Sequence, residues 1–124
     1  LTSRAFFNSR LGAFERMLSE ILGFDKVLAM NSGAEANETA LKLARKWAYK
    51  VKGIARDKAR IVAVTNNFHG RTLGVISAST EDSSTEGFGP FMPGYIIVPY
   101  NDKKAIAEAM KDPNVAGIPA LCHC

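Results

Sequence analysis

The sequence predicts an α/β fold in which helices flank a mostly parallel sheet. Short runs of β-branched and aliphatic residues alternate with segments of helical periodicity along the chain, which favours layers of helix on sheet. Successive strand, helix and strand units favour parallel pairing with right-handed crossovers. Apolar residues form 47% and charged residues 23% of the 124 positions, which is the balance of a folded domain rather than a disordered chain.

The N-terminal part of the chain is predicted to hold one helix and one short strand. Residues 6–22 place apolar side chains at three- and four-residue steps, and Gly23 suits the end of that helix. The apolar run at residues 26–30 then predicts a buried strand that leads directly into the next helix.

Residues 34–52 give the clearest helix signal in the chain. Ser32 and Glu35 have the spacing of a capping box, and Gly53 is placed to end the helix. Acidic residues in the first turns and lysines in the last turn match the helix dipole. The predicted buried stripe consists of Ala36, Ala40, Leu43, Ala44, Trp47 and Val51.

The second half of the chain is predicted to contain three strands joined by helices. The strands, each rich in β-branched or aliphatic residues, are at residues 60–65, 95–98 and 115–118. Residues 71–79 predict a short helix that Gly74 weakens, and Asn101 or Asp102 can cap a later helix. Residues 81–94 contain three glycines and two prolines and are predicted to form an irregular loop.

The charge distribution gives no indication of a nucleic-acid or membrane partner. The formal net charge is +4, and no aromatic or nucleic-acid motif accompanies the basic residues. No apolar run approaches the length needed to span a membrane. The local basic cluster is interpreted as a solvated helix face and consists of Lys42, Arg45, Lys46, Lys50 and Lys52.

The two ends of the sequence carry little functional information. Cys122, His123 and Cys124 are adjacent, and adjacent ligands lack the spacing of a closed zinc site, so no metal site is predicted. The chain starts at Leu1 rather than Met, so any targeting segment is expected to precede it. The compartment therefore stays open between the cytoplasm and the mitochondrial matrix.

Two segments at predicted strand ends carry candidate binding chemistry. At Ser32-Gly33-Ala34 a helix begins, and its first N–H groups and positive dipole end attract an anion. At residues 67–72, Phe68 can stack on a planar ring and Arg71 can hold a carboxylate. The alternatives are a plain capped helix for Ser32-Gly33-Ala34, a core aromatic for Phe68 and a surface ion pair for Arg71. No dinucleotide fingerprint, P-loop or nucleophile elbow is present in the sequence.

Four motifs occur in the order that they have in a known family. They are Asn31-Ser32-Gly33-Ala34-Glu35-Ala36-Asn37-Glu38 with Leu41-Lys42-Leu43-Ala44-Arg45, then Phe68-His69-Gly70-Arg71-Thr72, Gly87-Phe88-Gly89-Pro90 and Pro99-Tyr100-Asn101-Asp102. Together they resemble the class III aminotransferases, which have the fold-type I architecture and use pyridoxal 5'-phosphate (PLP). The resemblance covers residues 1–118, a part of that family's large domain. Residues 119–124 depart from the family and are interpreted as a truncated or misread tail.

The resemblance implies a role for each residue that matches a family motif. Arg71 would pair with a substrate carboxylate. The residues that would hold the cofactor are Ser32, Gly33 and Ala34 at its phosphate, Phe68 stacked on its ring, and His69 beside the ring without a proton-transfer role. No position matches the family's cofactor-linked lysine or the aspartate at the ring nitrogen. The chain is therefore expected to contain no catalytic residue and to be inactive alone.

The resemblance also suggests substrates and partners. Residues 1–6, 42–47 and 51–54 look most like family members that transfer the δ-amino group of ornithine to 2-oxoglutarate. Acetylornithine-type members share much of the remaining sequence, so that alternative stays open. A non-catalytic phosphate-binding or assembly segment is a further alternative. Small-molecule substrates and a homo-oligomeric parent protein are expected in the first two cases.

Overall fold

The computed structural model of the protein describes residues 7–117. Contacts between α-carbons divide the chain into two compact units, one that extends to Asn31 and one that starts at Ser32. The predictions for residues 119–124, including the tail and its cysteines, lie outside the described residues.

The first unit contains helix α1, Leu11–Leu22. The predicted end is confirmed, because Gly23 adopts a φ of 70° and its N–H donates to the Ser19 carbonyl over 2.9 Å. Residues 7–10, which were predicted to belong to this helix, are not helical. The side chain of Asn8 accepts from the Arg10 amide at 2.9 Å, and such a local turn competes with helix at this position.

The predicted strand at residues 26–30 is wrong. The structure has no regular secondary structure there, and Leu28 is 58% exposed. A strand requires a ladder of hydrogen bonds with a neighbouring strand, and residues 26–30 do not join the sheet of the protein. An apolar run alone does not supply that partner.

The second unit is built on a three-stranded parallel sheet, which confirms the α/β prediction. Its strands are β1 (Arg60–Val64), β2 (Tyr95–Val98) and β3 (Val115–Gly117), in the order β2-β1-β3. The central strand β1 pairs in parallel with both neighbours. Because helices cover both faces of such a sheet, the side chains of β1 from Ile61 to Val64 are all buried.

Four helices accompany the sheet in the described part of this unit. They are α2 (Gly33–Lys50), α3 (Leu73–Ile76), α4 (Asp82–Thr85) and α5 (Lys103–Ala109). Helix α4 is a single turn inside the segment predicted to be irregular, and α3 is shorter than predicted. The cap of α5 is Asp102, whose carboxylate accepts from the amides of Lys104 and Ala105.

Helix α2 is confirmed in position, but its predicted buried face is wrong except at Ala44. Ala36 and Ala40 of that predicted stripe are exposed. Leu41 and Ala48 are buried and Ala44 packs on the same core, whereas Leu43, Trp47 and Val51 are 65%, 47% and 69% exposed. Both faces of the helix carry apolar residues, and the face with Leu41, Ala44 and Ala48 lies against the core. The helix also ends at Lys50, and Gly53 lies beyond the cap residue Val51.

The basic cluster is not a uniformly solvated face. The Arg45 guanidinium donates to the Pro93 carbonyl at 2.9 Å and lies 5.9 Å from the centroid of the Tyr95 ring. The Lys52 ammonium donates to the Val115 carbonyl at 2.6 Å. Two of the five basic side chains therefore tie the end of α2 and the loop before β2 to the rest of the unit.

Candidate functional site

The two predicted binding segments lie side by side in the second unit. The side-chain amide of Asn37 donates to the Gly33 carbonyl at 3.1 Å and to the His69 carbonyl at 3.0 Å. A β-carbon placed on Gly70 would lie 2.7 Å from the β-carbon of Ala34, so the two backbones are in close contact. The start of α2 and the turn after β1 thus form one surface at the carboxyl end of β1.

The first turn of α2 leaves two amides outside the helical hydrogen bonds. The Ser32 hydroxyl accepts from the Glu35 amide at 3.2 Å, and the Ser32 carbonyl accepts from the Ala36 amide at 3.0 Å. The amides of Gly33 and Ala34 precede this first helical bond. Ser32 is thus a helix cap as predicted, and the helix start keeps donors that can face an anion.

The turn after β1 is anchored by Asn67, which the sequence did not single out. Its side-chain amide donates to the Val64 carbonyl at 2.6 Å and to the Ala78 carbonyl at 2.7 Å, and the residue is 8% exposed. The amide of Asn66 donates to the Thr80 hydroxyl at 2.9 Å. These bonds connect the end of β1 to the chain after α3 and fix where Phe68 leaves the sheet.

Phe68 and Arg71 form the exposed part of the turn. Phe68 is 64% exposed, so the alternative of a core aromatic is wrong. The guanidinium carbon of Arg71 lies 5.7 Å from the centroid of the Phe68 ring, within the range of a cation–π contact. A flat apolar ring and a guanidinium are therefore adjacent on one surface.

His69 points away from that surface. It is 9% exposed, and burial lowers the pKa of its imidazole from the ordinary value. Together with Leu41, Val75 and other residues it lines a cavity of about 10 Å³ beneath α2. The imidazole is thereby favoured in its neutral form, and its backbone carbonyl provides the link to Asn37.

Glu38 and Thr72 form a second link between α2 and the turn. The Thr72 hydroxyl donates a hydrogen bond to the Glu38 carboxylate. A β-carbon on Gly74 would lie 2.5 Å from a carboxylate oxygen of Glu38, so a side chain at this position would displace the carboxylate. The sequence signal was weak and concerned only Asn37, the neighbour of Glu38. Asn37 and Leu41 share one helical face, and a polar side chain on a buried face needs partners.

The second unit has a parallel sheet, and a helix start and an exposed aromatic ring lie together at the end of one strand. This arrangement defines a class of protein that is suited to ligands with an anionic part and a planar part. The chain belongs to the class III aminotransferase family, whose model matches residues 1–118. The predicted fold-type I architecture is confirmed by the solved structures that it resembles. Within residues 7–117, no helix has the length and apolarity that a membrane span requires.

Individual relatives support this membership. An ornithine aminotransferase of Plasmodium chabaudi chabaudi is 60% identical over 117 residues, which are 94% of this chain and 28% of that protein. A crystal structure of the ornithine aminotransferase from Toxoplasma gondii ME49 matches with a TM-score of 0.90 and 50% identity, over 95% of this chain and 28% of that one. An acetylornithine aminotransferase from Elizabethkingia anophelis has a TM-score of 0.68 and 47% identity, over 95% and 25%.

The chain therefore spans little more than a quarter of the length of the relatives that it matches.

Proposed function

We propose that this chain is a segment of a PLP-dependent ornithine aminotransferase. The complete protein would transfer the δ-amino group of ornithine to 2-oxoglutarate and yield glutamate semialdehyde and glutamate. The observation that carries the proposal is the contact between the start of α2 and the turn that bears Phe68 and Arg71. The chain covers 28% of the length of the Plasmodium chabaudi chabaudi relative, which supports a segment rather than the whole of such an enzyme.

The residues of this surface fit the two chemical parts of PLP. A β-carbon on Gly33 would meet no atom within 4 Å, so the backbone at the helix start is open to a phosphate-sized group. The positive end of the α2 dipole favours such an anion. The exposed ring of Phe68 offers a flat apolar surface to a pyridine ring. Ser32, Gly33 and Ala34 would hold the phosphate and Phe68 the ring.

The chain's own residues would bind and orient rather than transfer protons. When bound, PLP supplies the electron sink for amino-group transfer. Arg71 presents a planar fork of N–H donors that suits a substrate carboxylate. His69 lies behind the ring-bearing turn, and its buried neutral imidazole supports the turn through packing. No position matches the family's cofactor-linked lysine, so we propose that the 124 residues alone do not catalyse the reaction.

The choice of ornithine rests on the pattern of relatives. The ornithine aminotransferase of Plasmodium chabaudi chabaudi is 60% identical, and the acetylornithine aminotransferase of Elizabethkingia anophelis is 47% identical. The second candidate function is therefore an acetylornithine-type transaminase with the same cofactor surface. A homo-oligomeric parent protein is part of the proposal in either case.

Turnover by the full-length protein tests the function. We expect ornithine and 2-oxoglutarate to give glutamate semialdehyde, with kcat/KM at least about tenfold higher for ornithine than for N-acetylornithine, since a pocket built for a free amine rejects its acylated form. A preference for N-acetylornithine would select the second candidate. Absence of turnover with both amines would refute both candidates.

Replacement of Phe68 by alanine is expected to weaken PLP retention in the full-length protein. Loss of ring stacking costs about 1.5 kcal/mol, which is about tenfold in the dissociation constant. Equilibrium dialysis with absorbance of the retained cofactor measures the change. Phe91→Ala serves as the control, because Phe91 is an exposed phenylalanine outside the two binding segments. Equal retention in both variants would remove Phe68 from the cofactor site.

Replacement of Arg71 by alanine is expected to raise the KM for ornithine about thirtyfold, because a charge-assisted pair worth about 2 kcal/mol is lost. Steady-state kinetics on the full-length protein give the value. Arg56→Ala is a matched control, since Arg56 is an exposed arginine that pairs with Asp57 outside this surface. An unchanged KM in Arg71→Ala would show that the guanidinium does not hold the substrate.

A further inference from the structure

Two consecutive residues of α2 form hydrogen bonds with the turn that carries Arg71, one on each side of Arg71. Asn37 donates to the carbonyl of His69, two residues before Arg71. Glu38 accepts from the hydroxyl of Thr72, the residue directly after Arg71. Both links cross more than thirty residues of sequence and join the turn to the same helix.

The Thr72 hydroxyl bonds to Glu38 and not to the backbone of its own helix. It occupies the N-cap position of α3, where a threonine side chain commonly bonds to an amide of the first helical turn. No such cap bond exists at Thr72, whose hydroxyl donates to Glu38 instead. The short helix α3 is thereby tied to α2 through this side chain rather than stabilised at its own start.

The space for the Glu38 carboxylate is built into α3. Gly74 leaves the carboxylate unobstructed, because a β-carbon there would overlap it at 2.5–2.8 Å. The Tyr95 hydroxyl donates to the Gly74 carbonyl at 3.0 Å and connects the same point to strand β2. These hydrogen bonds thus anchor the turn and the start of α3 to both helix α2 and the sheet.

We propose that Asn37 and Glu38 are positioning residues that fix the turn for carboxylate recognition by Arg71. Arg71 itself is exposed and has a long flexible side chain, so the backbone from which it departs determines the region that its guanidinium reaches. The turn lies against α2, an 18-residue helix packed on the sheet, and this helix is the rigid reference. The role of Arg71 in this inference rests on the proposed function, whereas the effect on the turn does not.

The test is a double-mutant cycle in the full-length protein. Thr72→Val and Glu38→Ala each remove one side of the hydrogen bond, and Thr72→Ser keeps the hydroxyl. Hydrogen exchange measured by mass spectrometry reports the backbone of residues 66–74 in cofactor-free protein. We expect exchange there to be about tenfold faster in both single variants and in Asn37→Ala, and unchanged in Thr72→Ser. The double variant Glu38→Ala/Thr72→Val is expected to be no faster than its faster parent.

Kinetics provide the second measurement. Both single variants are expected to raise the KM for ornithine about fivefold with kcat within about twofold, because the carboxylate contact becomes less well placed. Unchanged exchange of residues 66–74 in all three variants would overturn the inference, as would additive effects of Glu38→Ala and Thr72→Val. If the wild-type protein does not turn over ornithine, the proposed function fails, and hydrogen exchange alone decides whether Asn37 and Glu38 hold the turn.

Discussion

Gly70→Ala is expected to destabilise the protein by about 4 kcal/mol, from two contributions of about 2 kcal/mol each. The first is backbone strain, because Gly70 has a φ of 121°, which side-chain-bearing residues rarely adopt. The second is overlap, because the new β-carbon would lie 2.7 Å from the Ala34 β-carbon and 3.1 Å from its α-carbon. The thermal midpoint of the full-length protein measures the loss.

A second glycine separates these two contributions. Gly53 also has a positive φ, 78°, but a β-carbon there would meet no atom within 4 Å. Gly53→Ala should therefore cost only about 1–2 kcal/mol of backbone strain. If the two variants lower the midpoint equally, the contact between Gly70 and Ala34 contributes nothing, and the turn is not pressed against α2.

The same substitution has a predicted functional consequence. The backbone can relieve the overlap only if the turn moves away from the start of α2, and that movement would separate the ring of Phe68 from the amides of Gly33 and Ala34. We expect Gly70→Ala to lose PLP on dialysis, whereas Gly53→Ala retains it. Full PLP retention in a folded Gly70→Ala protein would contradict the joint site.

The regular elements of the second unit were predictable because their signals are local. The β-branched run that forms β1 and the aliphatic run that forms β2 were located to within a residue, and Ser32 and Asp102 cap their helices as their side chains suggest. The failure at residues 26–30 has the opposite origin. An apolar run indicates a preference for burial, but whether a strand finds a hydrogen-bonding partner depends on the whole fold.

The site was predictable in outline and not in its supports. The rule that ligands gather at the carboxyl ends of parallel strands predicted the turn after β1 as a binding segment, and the structure places this turn beside the start of α2. The orientation of α2 could not be read from its sequence, because Leu41 and Leu43 lie on different faces and both are apolar. The bonds of Asn37 and Glu38 span 32 and 34 residues, and no local pattern encodes such partners.

Asn67→Asp is expected to cost about 4 kcal/mol at neutral pH, because it leaves a buried charge without a partner. Asn67 donates both of its side-chain hydrogens to carbonyl oxygens, those of Val64 and Ala78. Aspartate would oppose these carbonyls with an acceptor. The side-chain oxygen of Asn67 has no hydrogen-bond partner, so no nearby donor can stabilise the charge of an introduced carboxylate. Asn66→Asp makes the same change one residue earlier, at an exposed position.

The pH dependence of Asn67→Asp identifies the cause of this loss. Burial beside two carbonyls should raise the folded-state pKa of the introduced carboxyl above its unfolded value of about 3.9. The unfolded state then releases its proton first as pH rises, so stability relative to wild type falls from about pH 4 up to the folded-state pKa. We expect the difference in thermal midpoint between Asn67→Asp and wild type to be smaller at pH 5 than at pH 8, and the difference for Asn66→Asp to stay constant. A pH-independent loss in Asn67→Asp would show that the missing donors, and not the charge, cause the damage to the turn that carries Phe68.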